Sequence, residues 1–259
     1  MDAPAGTRAL LVVACLLLAG CTGLSGGDSV DREVYGIDEP VRPADGPEVA
    51  GLGANNVTDW IALWSGHVDR LEGTSYEATA EVEYADSNGT VLETRRSEAV
   101  VTSNGPERII VKITEQDEGA NETTTRTIEQ WTDDNETAYR LAEGNRTTVH
   151  SGAQVSDPAT RLLVEPGALF NAVETVTPTR SERGMRYVLT GSANVFPYRD
   201  AEFAIVVTDD GYIEQLVLRG NGTRRGEPVE ITLRVTVDRA GEVIDLERPD
   251  WVPADGREE

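Results

Sequence analysis

Residues 229–238 read Val-Glu-Ile-Thr-Leu-Arg-Val-Thr-Val-Asp, with apolar side chains on the odd positions and polar ones on the even positions. A period of two puts successive side chains on opposite faces of a strand, so this strand has one dry and one wet face. Tyr76, Ala78, Ala80, Val82 and Tyr84 repeat the pattern against Glu77, Thr79, Glu81 and Glu83. One-sided strands belong to an antiparallel sheet covered on a single face.

Working outward, Asn88-Gly89 predicts a type I′ hairpin into a strand over 90–102. Ile109, Val111 and Ile113 mark a strand at 108–115, and 116–125 is an exposed acidic connection. Segments 127–132 and 137–143 form a hairpin around Asp134-Asn135, and 147–150 follows Gly144-Asn145. Beyond residue 177, strands are expected at 185–190, 202–208, 212–219, 229–238 and 242–247, with a turn at Gly220–Gly226. That makes about eleven strands and no repeat of fixed period.

Helical spacing appears in two places. Trp60, Leu63, Trp64, Val68 and Leu71 predict a helix over 57–71, capped by Asn56 or Thr58 and stopped by Gly73. His67 sits beside that stripe as a boundary residue. Asp157-Pro158 predicts a short helix carrying Leu162 and Leu163, which Pro166 ends or restarts. Leu169, Phe170 and Val173 give a further short stripe. Short apolar helices between two runs of strands must lie on a sheet face. The fold expected is α+β: a single large curved antiparallel sheet, an open half-barrel of about 11 strands, with about three helices over its concave face.

The amino terminus carries a different signal. Arg8 is followed by eleven apolar or small residues, Ala9–Ala19, then Gly20-Cys21. That length fits a secretory apolar region of roughly 7–15 residues and falls short of the about 20 needed to span a bilayer. Leu18-Ala19-Gly20-Cys21 resembles the lipobox of prokaryotic lipoproteins, which implies cleavage between Gly20 and Cys21 and a lipid on the Cys21 thiol. The expected organisation is a signal peptide at 1–20, a lipidated flexible tether at 21–55, a single domain at 56–252 and an acidic tail at 253–259. This places the chain at the outer face of the cell membrane, with the membrane as partner through Cys21. Cys15 leaves with the signal peptide, so the mature chain has no disulfide and no thiolate metal site. Gly23-Leu24-Ser25-Gly26-Gly27 matches a nucleophile-elbow spacing, but it lies in the tether without the strand and helix that such a turn requires.

Acidic residues number 46 and basic residues 23, giving a formal charge of -23, and Lys112 is the only lysine. This composition resembles that of halophilic archaeal proteins, whose carboxylate self-repulsion is relieved by salt. It excludes nucleic acid as a partner, because phosphates select basic surfaces. His67 and His150 are the only histidines and form no metal-binding motif, so neither a metal nor a cofactor is expected. Asp133-Asp134-Asn135 and Asp209-Asp210-Gly211 are turn sequences, with no EF-hand continuation. No phosphate-cradling glycine loop follows a strand, and the chain is not expected to be an enzyme. Asn-x-Ser/Thr occurs at Asn56, Asn88, Asn121, Asn135, Asn145 and Asn221, six possible N-glycosylation sites on an exported chain.

In element order over residues 56–252, and in ending on a strand followed by Pro249-Asp250-Trp251, the chain resembles the lipoprotein-carrier group. That group includes the periplasmic LolA and LolB and the mycobacterial LppX and LprG lipoproteins. It also resembles haloarchaeal lipoproteins of the same layout. The resemblance implies acyl chains held between the curved sheet and the helices. On that reading, Trp60, Trp64, Leu163, Leu169 and Phe170 line a cleft for a lipid or other apolar ligand. The alternative is a structural or interaction module of the cell envelope, in which the same residues form a solid core. An enzyme built on turn carboxylates would need convergent polar groups in one pocket.

Overall fold

The two strands that show the alternation most plainly lie side by side at the centre of the sheet. The computed structural model describes residues 48–103, 105–116, 123–133, 136–153, 155–161, 164–181 and 184–252. A helix α1 (Trp60–Leu71) precedes six strands: β1 (Tyr76–Ala85), β2 (Val91–Val101), β3 (Glu107–Gln116), β4 (Thr123–Thr132), β5 (Thr137–Glu143) and β6 (Arg146–Ser151). A short helix α2 (Pro166–Phe170) leads to β7 (Val173–Ser181), β8 (Gly184–Val195), β9 (Tyr198–Thr208), β10 (Ile213–Arg224) and β11 (Glu227–Asp238). The strands make one antiparallel sheet in the order β6-β5-β4-β3-β2-β1-β11-β10-β9-β8-β7. The two meanders thus meet at the β1–β11 seam, where Ala78, Ala80 and Val82 face Val237, Val235 and Leu233.

Partners across each pair share a face. One face therefore collects Ala80, Val82, Leu189, Phe203, Ile205, Leu216, Leu218, Ile231 and Leu233, all buried. Leu63 of α1 and Leu169 and Phe170 of α2 close over them. A second buried group on the same face joins Leu71, Tyr76, Ala78, Ala99, Ile109, Ala159 and Val237. Burying such side chains contributes about 1.5–3 kcal/mol each before chain entropy is set against it.

Local chemistry explains where the elements start and stop, and where expectation needs correction. α1 begins at Trp60 because the Asp59 carboxylate accepts the N–H groups of Ile61 and Ala62, both at 3.0 Å. Thr58 instead donates to the Gly51 carbonyl. Gly73 ends the helix at φ +71°. The β1–β2 hairpin forms around Asp86, whose side chain accepts the N–H groups of Asn88 and Thr90, both at 2.8 Å. Only Gly89 of the Asn88-Gly89 pair has positive φ, so the turn is not the type I′ expected.

Two helices are found among the described residues rather than three. Asp157-Pro158 opens a single capped turn: Asp157 takes the N–H groups of Ala159 and Thr160, and its carbonyl accepts from Arg161. Pro166 then starts α2 afresh at its first position, where its missing N–H costs nothing. The strand total agrees with expectation through two opposite errors. Val173 opens the edge strand β7, not a helical stripe. Glu242–Glu247 forms no strand; the segment runs on to pack Trp251 and Val252 against Trp131 and Ala138 on the opposite face. β10 also extends to Arg224, so the expected Gly220–Gly226 turn narrows to Arg225-Gly226. Within β10, a Cβ on Gly220 would stand 2.9 Å from the Arg199 carbonyl oxygen, a backbone atom of β9 that has little room to give.

Candidate functional site

α1 reaches the sheet through Leu63, His67 and Leu71, which are buried, while Trp60 and Trp64 flank that stripe half-buried. Trp60 lies against α2 so closely that a Cβ on Gly167 would sit 3.1 Å from its ring. Leu169 and Phe170 expose 0% and 1% of their surface, so atoms close around them on every side. The helices are thus packed flush on the β8–β11 half of the sheet. Leu163, Gly20 and Cys21 lie outside the described residues, as do Asn121 and Asn135. Asn56, Asn88, Asn145 and Asn221 are all exposed, Asn221 within β10 rather than in a turn.

The other half of the covered face is different. Ser97, Val111, Ile128 and Leu141 oppose one another in a row across β2–β5, and Arg95 opposes Ile113 in the next row. Val111, Ile113 and Leu141 remain half exposed. Ile113 and Leu141 join none of the buried clusters of the described residues. The Oγ of Ser97 is nevertheless buried without a hydrogen-bond partner among those residues.

At the end of this strip lies an ionic cluster. Glu93, only 4% exposed at its side chain, accepts from Arg224 Nε at 2.8 Å and from Arg95 Nε through its other oxygen. The Arg224 side chain is 9% exposed and that of Arg95 51%. Arg95 also lies over the Tyr84 ring at 5.7 Å. Burial pushes the Glu93 pKa up, but the hydrogen bonds and charges of Arg224 and Arg95 outweigh it and hold the carboxyl below its ordinary value. Because each Glu93 oxygen serves a different arginine, the Arg224 Nη2 is left buried with no acceptor among the described residues.

None of these three charged residues was singled out by motif. A signal did exist: Glu93 and Arg95 share the parity of Ser97, Ala99 and Val101, which otherwise faces the core. Arg224 likewise keeps the parity of Leu216 and Leu218 through Gly220 and Gly222.

Elsewhere among the described residues the Trp251 Nε1 is also buried without a partner, while the buried polar side chains of His67, Asp157 and Glu129 are hydrogen-bonded and act structurally. His67 is 1% exposed, a core bridge rather than a boundary residue. Asp157 accepts the Tyr76 hydroxyl at 2.5 Å and the Thr160 hydroxyl at 2.9 Å. Burial, and then the charge of Asp157, raise the Tyr76 pKa and push Glu107 up to about 7. On the opposite face Glu129 is clamped between Arg108 at 2.7 Å and Arg140 at 2.6 Å. No group of three or more metal-ligating side chains occurs among the described residues.

The fold and this strip define an open eleven-stranded antiparallel sheet with two helices over one face and an ionic cluster at one end of the less covered half. No protein-family model matches the chain, and no curated protein matches it. Among solved structures it is similar to LprF from Mycobacterium bovis, at 8% identity and a TM-score of 0.36, covering 75% of this chain and 99% of that one. It is also similar to a LolA superfamily protein from Nitrosomonas europaea, at 9% identity and a TM-score of 0.24, covering 72% and 94% of the two chains. A lipoprotein-sorting protein domain from Vibrio parahaemolyticus matches at 6% identity and a TM-score of 0.26, over 73% and 95%. No helix among the described residues is long and apolar enough to cross a membrane.

Proposed function

We propose that the chain is a lipid-anchored envelope protein, held at the outer membrane face through Cys21, that binds a lipid or other apolar ligand without enzymatic chemistry. The observation that supports ligand binding is the contrast between the two halves of the covered face. Over β8–β11 the core is sealed, whereas over β2–β5 Val111, Ile113 and Leu141 stay only half-buried beside a buried Ser97 hydroxyl that has no partner among the described residues. A buried polar group without a partner costs about 1–3 kcal/mol, which a ligand or ordered water placed there would offset. The ligand surface on this reading is the Val111–Leu141 strip on β3–β5, while Trp60, Trp64, Leu169 and Phe170 pack into the sealed core of the other half.

A second reading, a structural or interaction module of the envelope, is favoured by the complete burial of Leu63, Leu169 and Phe170. Native mass spectrometry of protein extracted from its own membrane separates the two. Ligand binding predicts bound lipid, or uptake of added lipid; repeated empty spectra with no uptake support the module. For the anchor, Cys21→Ser is expected to leave the membrane fraction, and its retention there would overturn that part of the proposal. Exposed Asn56, Asn88, Asn145 and Asn221 are the sequons proposed to carry glycans.

A further inference from the structure

Arg224 offers more than an ion pair. A guanidinium presents a planar fork of N–H donors suited to two oxygens of one anion. Glu93 fills only the Nε position of Arg224, since its second oxygen goes to Arg95. Two guanidiniums therefore share the Glu93 carboxylate. Glu115, opposite Glu93 on β3, also acts on Arg95 but accepts from Arg225 at 2.9 Å, so the five side chains together keep a formal excess of one positive charge. Water reaches Arg95, whose side chain is 51% exposed, but Arg224 is nine-tenths buried and its Nη2 is unpaired among the described residues. Leaving part of a charged donor dry and unpaired is costly, and the group that repairs it is an oxyanion. The half-exposed Val111, Ile113 and Leu141 lie on the same face, further along the strands.

We infer that Arg224, with Arg95 beside it, receives an anionic oxygen group, carboxylate or phosphate, on the polar end of the ligand whose apolar part lies on Val111, Ile113 and Leu141. This rests on the apolar-ligand reading of the same strip and adds the chemistry of its polar end.

The test compares three probes on the full chain by isothermal titration: palmitate, hexadecanol and inorganic phosphate. Palmitate is expected to bind at least about tenfold more tightly than hexadecanol, the weight of one charge-assisted hydrogen bond. In Arg224→Gln that preference should fall towards one. Should that variant not fold, Arg224→Lys, which keeps an ammonium beside Glu93 but removes the free Nη2, should still lower the preference. Equal binding of palmitate and hexadecanol by the unaltered chain, or an undiminished preference in the folded variant, overturns the oxyanion inference and leaves the apolar site standing. Failure of both long-chain probes, with phosphate binding that Arg224→Gln abolishes, overturns the apolar reading and assigns the cluster to a free anion. Failure of all three overturns both.

Discussion

The Nδ1 of His67 accepts the backbone N–H of Ile213 at 3.0 Å, across 146 residues of sequence. Its Nε2 lies 2.9 Å from the Ala159 carbonyl and donates to it, which fixes the neutral ring in one tautomer. One imidazole thereby ties α1 to the start of β10 and to the capped turn after Asp157.

Replacing His67 should therefore destabilise through the groups it leaves behind. His67→Leu strands a buried N–H and a buried carbonyl and is expected to cost about 2–4 kcal/mol in urea melts. Burial lowers the His67 pKa despite the opposing Ala159 bond. The stability it contributes is then present above the unfolded value near 6.5 and is lost as pH falls below it. The unaltered chain should lose more stability than His67→Leu between about pH 7 and pH 5.

Glu107 predicts the opposite slope. Its folded pKa of about 7 lies above the ordinary glutamate value of 4.5, so folding takes up protons between them. The carboxyl then destabilises progressively as pH rises from 4.5 through about 7, and fully beyond. Glu107→Gln should raise the unfolding midpoint at about pH 8 while moving it little at about pH 4. A variant no more stable than the parent at the higher pH would show that Glu107 is well solvated.

Glu129 stands between Arg108 and Arg140, whose side chains are 37% and 41% exposed. Removing a buried ion-pair partner costs about 3–5 kcal/mol when the charge left behind stays dry, and less when water reaches it. Glu129→Ala is therefore expected to cost about 1–2 kcal/mol, after that discount for solvent. It should also loosen the carboxy-terminal segment, because Arg140 packs over the Trp251 ring at 5.5 Å. Trp251 fluorescence in the variant should shift to the red; an unchanged spectrum would mean that Arg140 is held without Glu129.

Much of this architecture was legible because β1 and β11 alternate apolar and polar side chains along nearly their whole length. Where a strand lacks that contrast it left no trace. β7 buries only Val176 among exposed threonines and charges, because it is an edge with little to cover. The carboxy-terminal segment misled in the other direction: Ile244 and Leu246 alternate with Asp245 and Glu247, yet no strand forms there and the neighbouring Val243 is 93% exposed. Arg224 was hidden inside Gly220–Gly226, whose glycines look like a turn although β10 runs on through Gly220 and Gly222, with Gly220 close against the β9 backbone. The Glu93–Arg224 pairing spans 131 residues, a distance over which no local pattern carries information.

The β1–β11 seam has a consequence for how the chain must be made. The first strand of the sheet waits for the last, since Glu77 pairs with Asp238 and Ala85 with Glu230. Each meander can form from local contacts, but until β11 emerges β1 shows an open edge lined by Ala78, Ala80 and Val82. A polypeptide truncated between β10 and β11 is therefore not a smaller version of this sheet but two half-sheets with sticky central edges, β1 on one and β10 on the other. Completion of synthesis, rather than any single contact, is what makes the molecule safe from its own copies.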